Sequence, residues 1–190
     1  MKDHGKINIC MIEKTVLLKN GSKALVRQAK SNDAKKLINY IEMVSGESDF
    51  LTIGPGEFQM SLSKEKEFIK NISKQNNSLF LLALVDQSVV AVLTFEGGSK
   101  PRTRHRGDFG ITVLKDYWGL GIGSMLIGVF LDWVKATKII KKINLLVDTG
   151  NRRAIAVYKK FGFKKEGIAT RDSLTNGKYR DAYLMGLKID

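Results

Sequence analysis

The sequence contains very little cysteine, histidine or proline. Its one cysteine, Cys10, excludes a disulfide bond within the chain and a zinc site built on cysteines. The two histidines are His4 and His105, and with so few imidazole ligands we predict no metal site. Because the lack of disulfides is compatible with a reducing compartment, we expect a cytoplasmic location.

Long hydrophobic runs are also missing. The longest uncharged stretch, Tyr117–Leu131, is shorter than the ~20 residues of a membrane-spanning helix, and four glycines interrupt it. Lys2, Asp3 and Lys6 precede any apolar run, which is unlike a secretory signal. The sequence therefore predicts no membrane segment and no secretory signal.

Charge, by contrast, is abundant and unevenly spread. The formal net charge is +13, which raises nucleic acid or another polyanion as a partner. Residues 132–165 carry ten lysines and arginines against two acids, whereas residues 42–58 carry four acids and no base. The sequence has no zinc pattern, no recognisable helix-turn-helix and no basic stripe interleaved with aromatics. We therefore predict no nucleic-acid partner.

Periodic patterns predict both helices and strands. Strand-like apolar patterns occur at residues 14–19, 23–28, 79–85, 89–95, 107–114, 143–147, 163–171 and 179–189. Helical patterns occur at residues 34–44, 63–74, 123–136 and 151–161. We expect Ser31 to cap the first helix and Ser63 to open the second. The order predicts mostly antiparallel strands with one βαβ unit in the middle, and a loop at residues 48–60 that carries Phe50 and Phe58.

Three glycines separate the fifth predicted strand from the third predicted helix. Gly119, Gly121 and Gly123 would let the backbone approach a phosphate, and N–H groups at a helix start point toward an anion. The spacing differs from the Gly-x-Gly-x-x-Gly of dinucleotide-binding units, and Gly123-Ser124 lacks the lysine of a Walker-type loop. Simple turn chemistry would also place glycines here, so the loop alone does not establish a phosphate site.

A second pattern lies on the last predicted helix. Asn151, Ala154 and Tyr158 fall on one face because helical residues three and seven apart share a side. A capping asparagine with a packed tyrosine would give the same spacing. The two patterns together, in this order and at this separation, are harder to attribute to turns and packing alone.

Both patterns resemble motifs of the GNAT superfamily of N-acetyltransferases. Gly121-Ile122-Gly123 resembles the end of that family's pyrophosphate loop, Arg/Gln-x-x-Gly-x-Gly/Ala, although Trp118 occupies the Arg/Gln position. The stretch Asn151–Phe163 resembles the family's Asn-x-x-Ala-x-x-x-Tyr-x-x-x-Gly-Phe. Asp181–Met185 resembles the closing strand. The resemblance makes residues 23–190 an N-acetyltransferase domain, and residues 1–22 an N-terminal extension with the first strand.

The resemblance implies a fold and a reaction. The implied fold is α/β (α+β), a mixed and mostly antiparallel central sheet of about six to seven strands flanked by about four helices. In the implied reaction, a primary amine attacks the thioester of acetyl-CoA directly in a ternary complex. We expect a small cationic amine as acceptor. A protein N-terminus, of the ribosomal-protein type, and a non-catalytic acyl-CoA sensor are the alternatives, and the oligomeric state stays open, a homodimer included.

The resemblance also implies site residues. The cofactor-binding residues would be Ile111, Val113, Gly119, Leu120, Gly121, Ile122, Gly123, Ser124, Asn151, Ala154, Tyr158 and Lys160. The Val113 N–H would polarise the thioester carbonyl. Tyr158, with an ordinary pKa of ~10, would donate a proton to a leaving thiolate whose own pKa is ~8–9.

Two roles stay open at this point. His105, Asp108 and Glu96 are candidates for the base that deprotonates the amine, and water could serve instead. His105 has the most suitable ordinary pKa, but it could equally be a surface histidine. We also expect the acids of residues 42–58 to attract a cationic acceptor, although a solvated charge run would look the same. These acids are Glu42, Glu47, Asp49 and Glu57.

Overall fold

The computed structural model describes residues 12–190. His4, Cys10 and the first eleven residues of the predicted extension lie outside the described residues. The described part forms one sheet of eight strands, slightly more than the six to seven expected, with four α-helices. The GNAT-type mixed α/β architecture is confirmed. None of these helices is both long and apolar enough to cross a membrane.

The helices and strands follow the predicted order closely. The strands are β1 (Glu13–Leu17), β2 (Lys23–Gln28), β3 (Leu79–Val85), β4 (Ser88–Gly97), β5 (Arg106–Val113), β6 (Lys142–Asp148), β7 (Lys164–Thr175) and β8 (Lys178–Lys188). The α-helices are α1 (Ala34–Ser45), α2 (Leu62–Ser73), α3 (Ile122–Thr137) and α4 (Arg152–Lys160).

Only one pair of neighbouring strands in the described sheet is parallel. The strand order is β1-β2-β3-β4-β5-β6-β8-β7, and β5 pairs with β6 in parallel across helix α3, as the βαβ prediction requires. This pairing is short. It joins residues 106–108 to residues 142–144 and then stops, although both strands continue. The sheet is therefore split between the later halves of β5 and β6.

Two apolar layers bury the two faces of the sheet. Leu37 and Tyr40 of α1 pack with Phe80 and Leu82 on one face. On the other face, α3 packs against Leu81 and its neighbours. Because alternate residues of a strand point to opposite faces, a strand covered on both sides is apolar throughout. This accounts for the uninterrupted run Leu79–Val85, which is buried at every position.

The two helix starts differ in detail from the sequence prediction. Ser31 does not cap α1, because it begins a short 3-10 turn in which the Asp33 carboxylate accepts the N–H of Lys30 at 2.8 Å. Helix α2 is capped by Ser61, whose hydroxyl accepts the Lys64 N–H at 3.3 Å, two residues before the predicted Ser63. Both positions carry serine, and apolar periodicity does not distinguish them.

A buried ion pair fastens α1 to the sheet. The Arg27 guanidinium on β2 donates to both carboxylate oxygens of Asp33, each at 2.7 Å, and Asp33 is only 5% exposed. Burial alone would raise the pKa of Asp33, but the hydrogen bonds from Arg27 and Lys30 outweigh it and lower that pKa. The pair therefore stabilises the ionised, folded form.

We predict that Asp33→Asn lowers the free energy of unfolding by about 3 kcal/mol at pH 7, because it leaves the buried Arg27 charge unpaired. A group with a lowered folded-state pKa stabilises above its unfolded pKa and loses that effect as pH falls through the folded value. The difference from wild type should therefore shrink below about pH 4. Urea unfolding at several pH values measures it. Asp132→Asn, on the exposed side of α3, is the control; equal stability of the two variants would contradict the role of the pair.

Candidate active site

A cavity of about 750 Å³ occupies the gap between β5 and β6. It is lined by residues 109–113 of β5 and residues 146–148 of β6. The Leu114 N–H donates to the Val90 carbonyl of β4 at 3.0 Å. Because N–H directions alternate along a strand, the Ile111 and Val113 N–H groups point away from β4, toward the gap. The gap thus exposes a strand edge to a ligand.

The cavity passes through the sheet from one face to the other. Phe109 points to the side of α3 and α4, where its ring stacks on Phe130 with centroids 5.3 Å apart. Thr112 points to the side of α1, where its hydroxyl forms a 2.8 Å hydrogen bond with Tyr40. Both Phe109 and Thr112 line the cavity. A ligand on one side of the sheet can therefore reach a ligand on the other side through the gap.

The glycine loop forms the wall on the α3 side. Gly119 and Gly121 have φ values of +82° and +92°, which strongly favour glycine. Helix α3 begins directly after Gly121, and the amides of Ile122, Gly123 and Ser124 have no preceding helical turn to bond. All five residues line the cavity. Bare backbone, free amides and the partial positive charge of a helix start fit a phosphate group.

The cavity wall is strongly cationic. Its charged lining residues are Lys19, Arg152, Arg153 and the single acid Asp148. The Asp148 carboxylate accepts from Nε and Nη2 of Arg180 and from the Gly150 N–H. The Arg180 hydrogen bond lowers the pKa of Asp148, so this acid is ionised and already neutralised. The unpaired charge of the wall is positive, which again fits a phosphate-bearing ligand. No group of three His, Cys, Asp or Glu side chains within residues 12–190 is placed to hold a metal ion.

Tyr158 and Asn151 lie on the cavity side of α4, as their spacing predicts. The Tyr158 ring stands edge-on to Phe109 with centroids 5.9 Å apart, and it is 8% exposed. Burial raises its pKa to about 12, which keeps the phenol protonated. The Asn151 side-chain oxygen accepts the Ala154 N–H at 3.1 Å, so Asn151 caps α4 while it also lines the cavity with Ala154.

Two of the implied cofactor residues do not line the cavity. Leu120 packs its side chain against the hydrophobic core, and its carbonyl accepts the Lys19 N–H at 3.4 Å. Lys160 is exposed at the end of α4. It is two residues beyond Tyr158, and two residues turn a helix by roughly 200°, so it points to the opposite side.

The three candidate bases also lie away from the cavity. His105 precedes β5, Asp108 lies near its start, and Glu96 lies opposite Asp108 near the end of β4. All three are exposed, and none of them lines the cavity. The His105 carbonyl accepts the N–H groups of Lys141 and Lys142 where the parallel pairing begins. The structure therefore does not bring any of these three side chains next to Tyr158.

Three of the four acids of residues 42–58 accept hydrogen bonds from the protein itself. The Glu47 carboxylate accepts the Lys115 N–H, and that of Glu57 accepts the Gly54 N–H, both at 2.7 Å. Asp49 accepts a longer hydrogen bond of 3.4 Å from Asn176. None of them, nor Glu42, lines the cavity. The lining from this region comes from the residues between the acids, Val44, Ser48, Phe50, Leu51 and Thr52.

Sequence reasoning missed the group that frames the α1-side opening. Arg180 of β8 holds Asp148 of β6, and its guanidinium lies over the Phe50 ring at 5.2 Å from the centroid. Phe50 lies in the loop predicted at residues 48–60, but nothing local in the sequence links Asp148 to Arg180. The strand pairing Asp148↔Ala182 brings them together.

Comparisons with known proteins agree with this geometry. The model of a family described as the acetyltransferase (GNAT) family matches residues 45–163. The chain is 38% identical over 105 residues to the L-amino acid N-acetyltransferase AaaT of Escherichia coli (55% of this chain, 65% of that protein). It is 32% identical over 80 residues to the spermidine N(1)-acetyltransferase of Escherichia coli (42% of this chain, 43% of that protein). The matches thus span less than two thirds of these curated relatives.

A solved structure covers more of the chain. The crystal structure of a GNAT-family acetyltransferase from Streptococcus pneumoniae has a TM-score of 0.85 and 30% sequence identity to this chain. The comparison covers 88% of this chain and 99% of the other. The agreement therefore includes strands and helices on both sides of the cavity.

We predict that Gly123→Asp raises the Kd of acetyl-CoA by roughly 100-fold or more, since it places a carboxylate where a phosphate would bind. A Cβ at this position would lie 3.9 Å from Val113 Cγ2 and 4.0 Å from Ile111 Cδ1, so the protein should still fold. Isothermal titration calorimetry gives the Kd, and thermal unfolding checks the fold. Gly128→Asp, on the same helix but outside the cavity lining, is the matched control. Similar Kd values for the two variants would contradict the phosphate loop.

Proposed function

Since this chain belongs to the acetyltransferase (GNAT) family, we propose that it transfers the acetyl group of acetyl-CoA to the amine of an amino acid with an apolar side chain. The observation that carries the proposal is the cavity through the sheet, with Tyr158 in its wall. One side has a cationic glycine loop, and the other side has an apolar opening. The proposal assigns the loop side to acetyl-CoA and the opening to the acceptor.

The cofactor side is assigned to backbone groups. The amides of Ile122, Gly123 and Ser124 hold the pyrophosphate, and the exposed edge of β5 holds the extended arm. The Val113 N–H donates to the thioester oxygen, on which negative charge builds up during attack. Acetyl-CoA supplies the acetyl thioester and a thiolate leaving group.

Tyr158 is assigned as the general acid. The amine nitrogen forms a bond to the acetyl carbon, the carbon–sulfur bond breaks, and its electron pair leaves with sulfur. The Tyr158 phenol then donates its proton to that sulfur. The phenolate regains a proton through water from the newly bonded nitrogen, which loses it to become a neutral amide. With its pKa raised to about 12 by burial, the phenol carries its proton at neutral pH, as a general acid must before it donates.

The amine loses its proton to water in this proposal. Among the described residues that line the cavity, Asp148 is the only carboxylate and there is no histidine. The lowered pKa of Asp148 and its bond to Arg180 make it a poor base. Neither His105, Asp108 nor Glu96 is therefore carried into the mechanism.

The acceptor opening favours one amine on an apolar body. Val44, Phe50, Leu51 and Leu146 contribute apolar lining, and the one acid there is paired. A polyamine would need unpaired acids for its further charges. Within the described residues, Arg180 Nη1 makes no hydrogen bond, which leaves a donor for an amino-acid carboxylate at the rim. The match to an L-amino acid N-acetyltransferase supports this choice over the initially expected cationic amine.

We predict that L-leucine is acetylated with a kcat/KM at least about 10-fold above that of 3-methylbutylamine, which lacks only the carboxylate, because a charge-assisted hydrogen bond is lost. Release of free CoA thiol measures the rate, with spermidine and an alanyl peptide as further acceptors. Preference for spermidine or the peptide would overturn the acceptor assignment. Binding of acetyl-CoA without thiol release from any acceptor would indicate a sensor instead.

We predict that Tyr158→Phe lowers kcat by ~10²–10⁴-fold and leaves the Kd of acetyl-CoA unchanged, since only the proton donor is removed. Pre-steady-state and steady-state thiol release give kcat, and calorimetry gives the Kd. His105→Gln is the companion variant and should keep wild-type kcat, because His105 is exposed at the far end of β5. The opposite pattern, a silent Tyr158→Phe and an impaired His105→Gln, would reverse the two assignments.

A further inference from the structure

We infer that Lys19, at the tip of the N-terminal hairpin, binds the pyrophosphate of acetyl-CoA together with Arg153. The hairpin of β1 and β2 lies outside residues 45–163, the range that the family model matches. If Lys19 binds the pyrophosphate, this hairpin contributes a residue to the cofactor site. The inference rests on the proposed function. It adds two side chains, those of Lys19 and Arg153, to the backbone amides proposed to bind the pyrophosphate.

The hairpin tip is held in place against the glycine loop. Leu18 is buried, and the Leu18 N–H donates to the Ser22 carbonyl at 2.8 Å, which closes the turn. The Lys19 N–H donates to the Leu120 carbonyl at 3.4 Å, which joins the turn to the glycine loop. The backbone of Lys19 is therefore fixed next to the start of α3.

The side chain of Lys19 runs along the loop. A Cβ built on Gly121 would have Lys19 Cε as its nearest neighbour, at 4.0 Å, and Lys19 lines the cavity. Its ammonium group thus lies near the first amides of α3. A cation is unfavourable at the positive end of a helix dipole. Lys19 forms no ion pair with any residue of the range 12–190, so an anion from outside the chain would relieve this repulsion.

Arg153 lies near Gly119, the other positive-φ glycine of the loop. Its guanidinium carbon is 5.3 Å from the centroid of the Trp118 ring, and its Nη2 would be the nearest neighbour of a Cβ on Gly119, at 3.6 Å. The Trp118 indole N–H donates to the Val113 carbonyl at 2.7 Å, which fixes the ring. Trp118 thus supports a cation supplied by α4.

The electrostatic arrangement is the same at both helices. Arg153 lies in the first turn of α4, as Lys19 lies near the first turn of α3, and neither first turn contains an acid. Natural helix starts favour acids and disfavour cations. Two helix starts and two cations that have no acidic partner in the described chain therefore converge on Gly119 and Gly121. This arrangement matches a doubly charged pyrophosphate between them.

The test measures the binding of acetyl-CoA to Lys19→Gln and Arg153→Gln by calorimetry at low salt. Each variant should raise the Kd about 10-fold, the usual effect of one lost charge-assisted hydrogen bond. Lys19→Arg should restore most of the affinity. The matched controls, Lys23→Gln on the same hairpin and Lys159→Gln on α4, are exposed and outside the cavity, and should bind like wild type.

Shortened ligands identify the phosphate involved. The 10-fold loss should persist with acetyl-dephospho-CoA, which lacks only the 3′-phosphate, and should vanish with S-acetylpantetheine, which has no phosphate. Loss of the effect with acetyl-dephospho-CoA would overturn the pyrophosphate assignment. A Kd of Lys19→Gln equal to that of Lys23→Gln would overturn the role of the hairpin.

Stability without ligand separates binding from folding. Because Lys19 repels the start of α3, Lys19→Gln should keep or slightly raise the melting temperature of the free protein. A lowered melting temperature together with weaker binding would indicate a structural role and contradict the inference. Wild-type protein that does not bind acetyl-CoA would refute the proposed function itself, whereas normal wild-type binding with silent variants would refute only this inference.

Discussion

The short parallel pairing between β5 and β6 is the constraint on which the rest of the structure depends. Three residue pairs join the strands, and beyond Asp108 and Asn144 they separate. A split in a sheet leaves backbone N–H and C=O groups unpaired, which is costly unless a ligand or water bonds them. The split also determines where the neighbouring elements lie. Helix α3 connects β5 to β6, so it begins beyond the end of β5, beside the opening. The glycine loop, the strand edge and Tyr158 all meet at this opening.

The charge of the protein has a different use from the one that composition suggested. Glu47, Asp49 and Glu57 accept hydrogen bonds from the protein itself, two of them from residues 68 and 127 positions away in the sequence. The cations of the cavity wall, in contrast, gather near two helix starts without acidic partners among the described residues. A count of charged residues therefore does not show which charges are paired within the protein and which are free to bind a ligand. The acids near this site are bonded within the protein, and the positive charge of the cavity wall is left to bind a ligand.

The sequence was sufficient for features that are local along the chain. The glycine loop and the shared face of Asn151, Ala154 and Tyr158 depend on spacing within single short segments, and the βαβ unit follows from the order of consecutive strands and helices. All were predicted. Features set by register across the sheet were not. Asp148 and Arg180 are 32 residues apart in sequence, and the position of His105 depends on which end of β5 borders the gap. Periodicity gives the face of the sheet on which a residue lies but not the end of the sheet. This is why the Asp148–Arg180 pair was missed, and why the candidate bases lie away from the cavity.

The contact between Phe50 and Arg180 has a consequence for how the protein can diverge. It joins the loop of residues 48–52 to the final hairpin, β7 and β8. The glycine loop is instead joined to the first hairpin and to α4. The Phe50 side and the glycine-loop side of the cavity therefore rest largely on different elements, and the Glu47–Lys115 hydrogen bond joins them. Under the proposed function, mutations in residues 48–52 would alter the accepted amine while the glycine loop stays intact. Substitutions in this one loop could therefore change the substrate preference step by step. Each variant along the way would still bind acetyl-CoA.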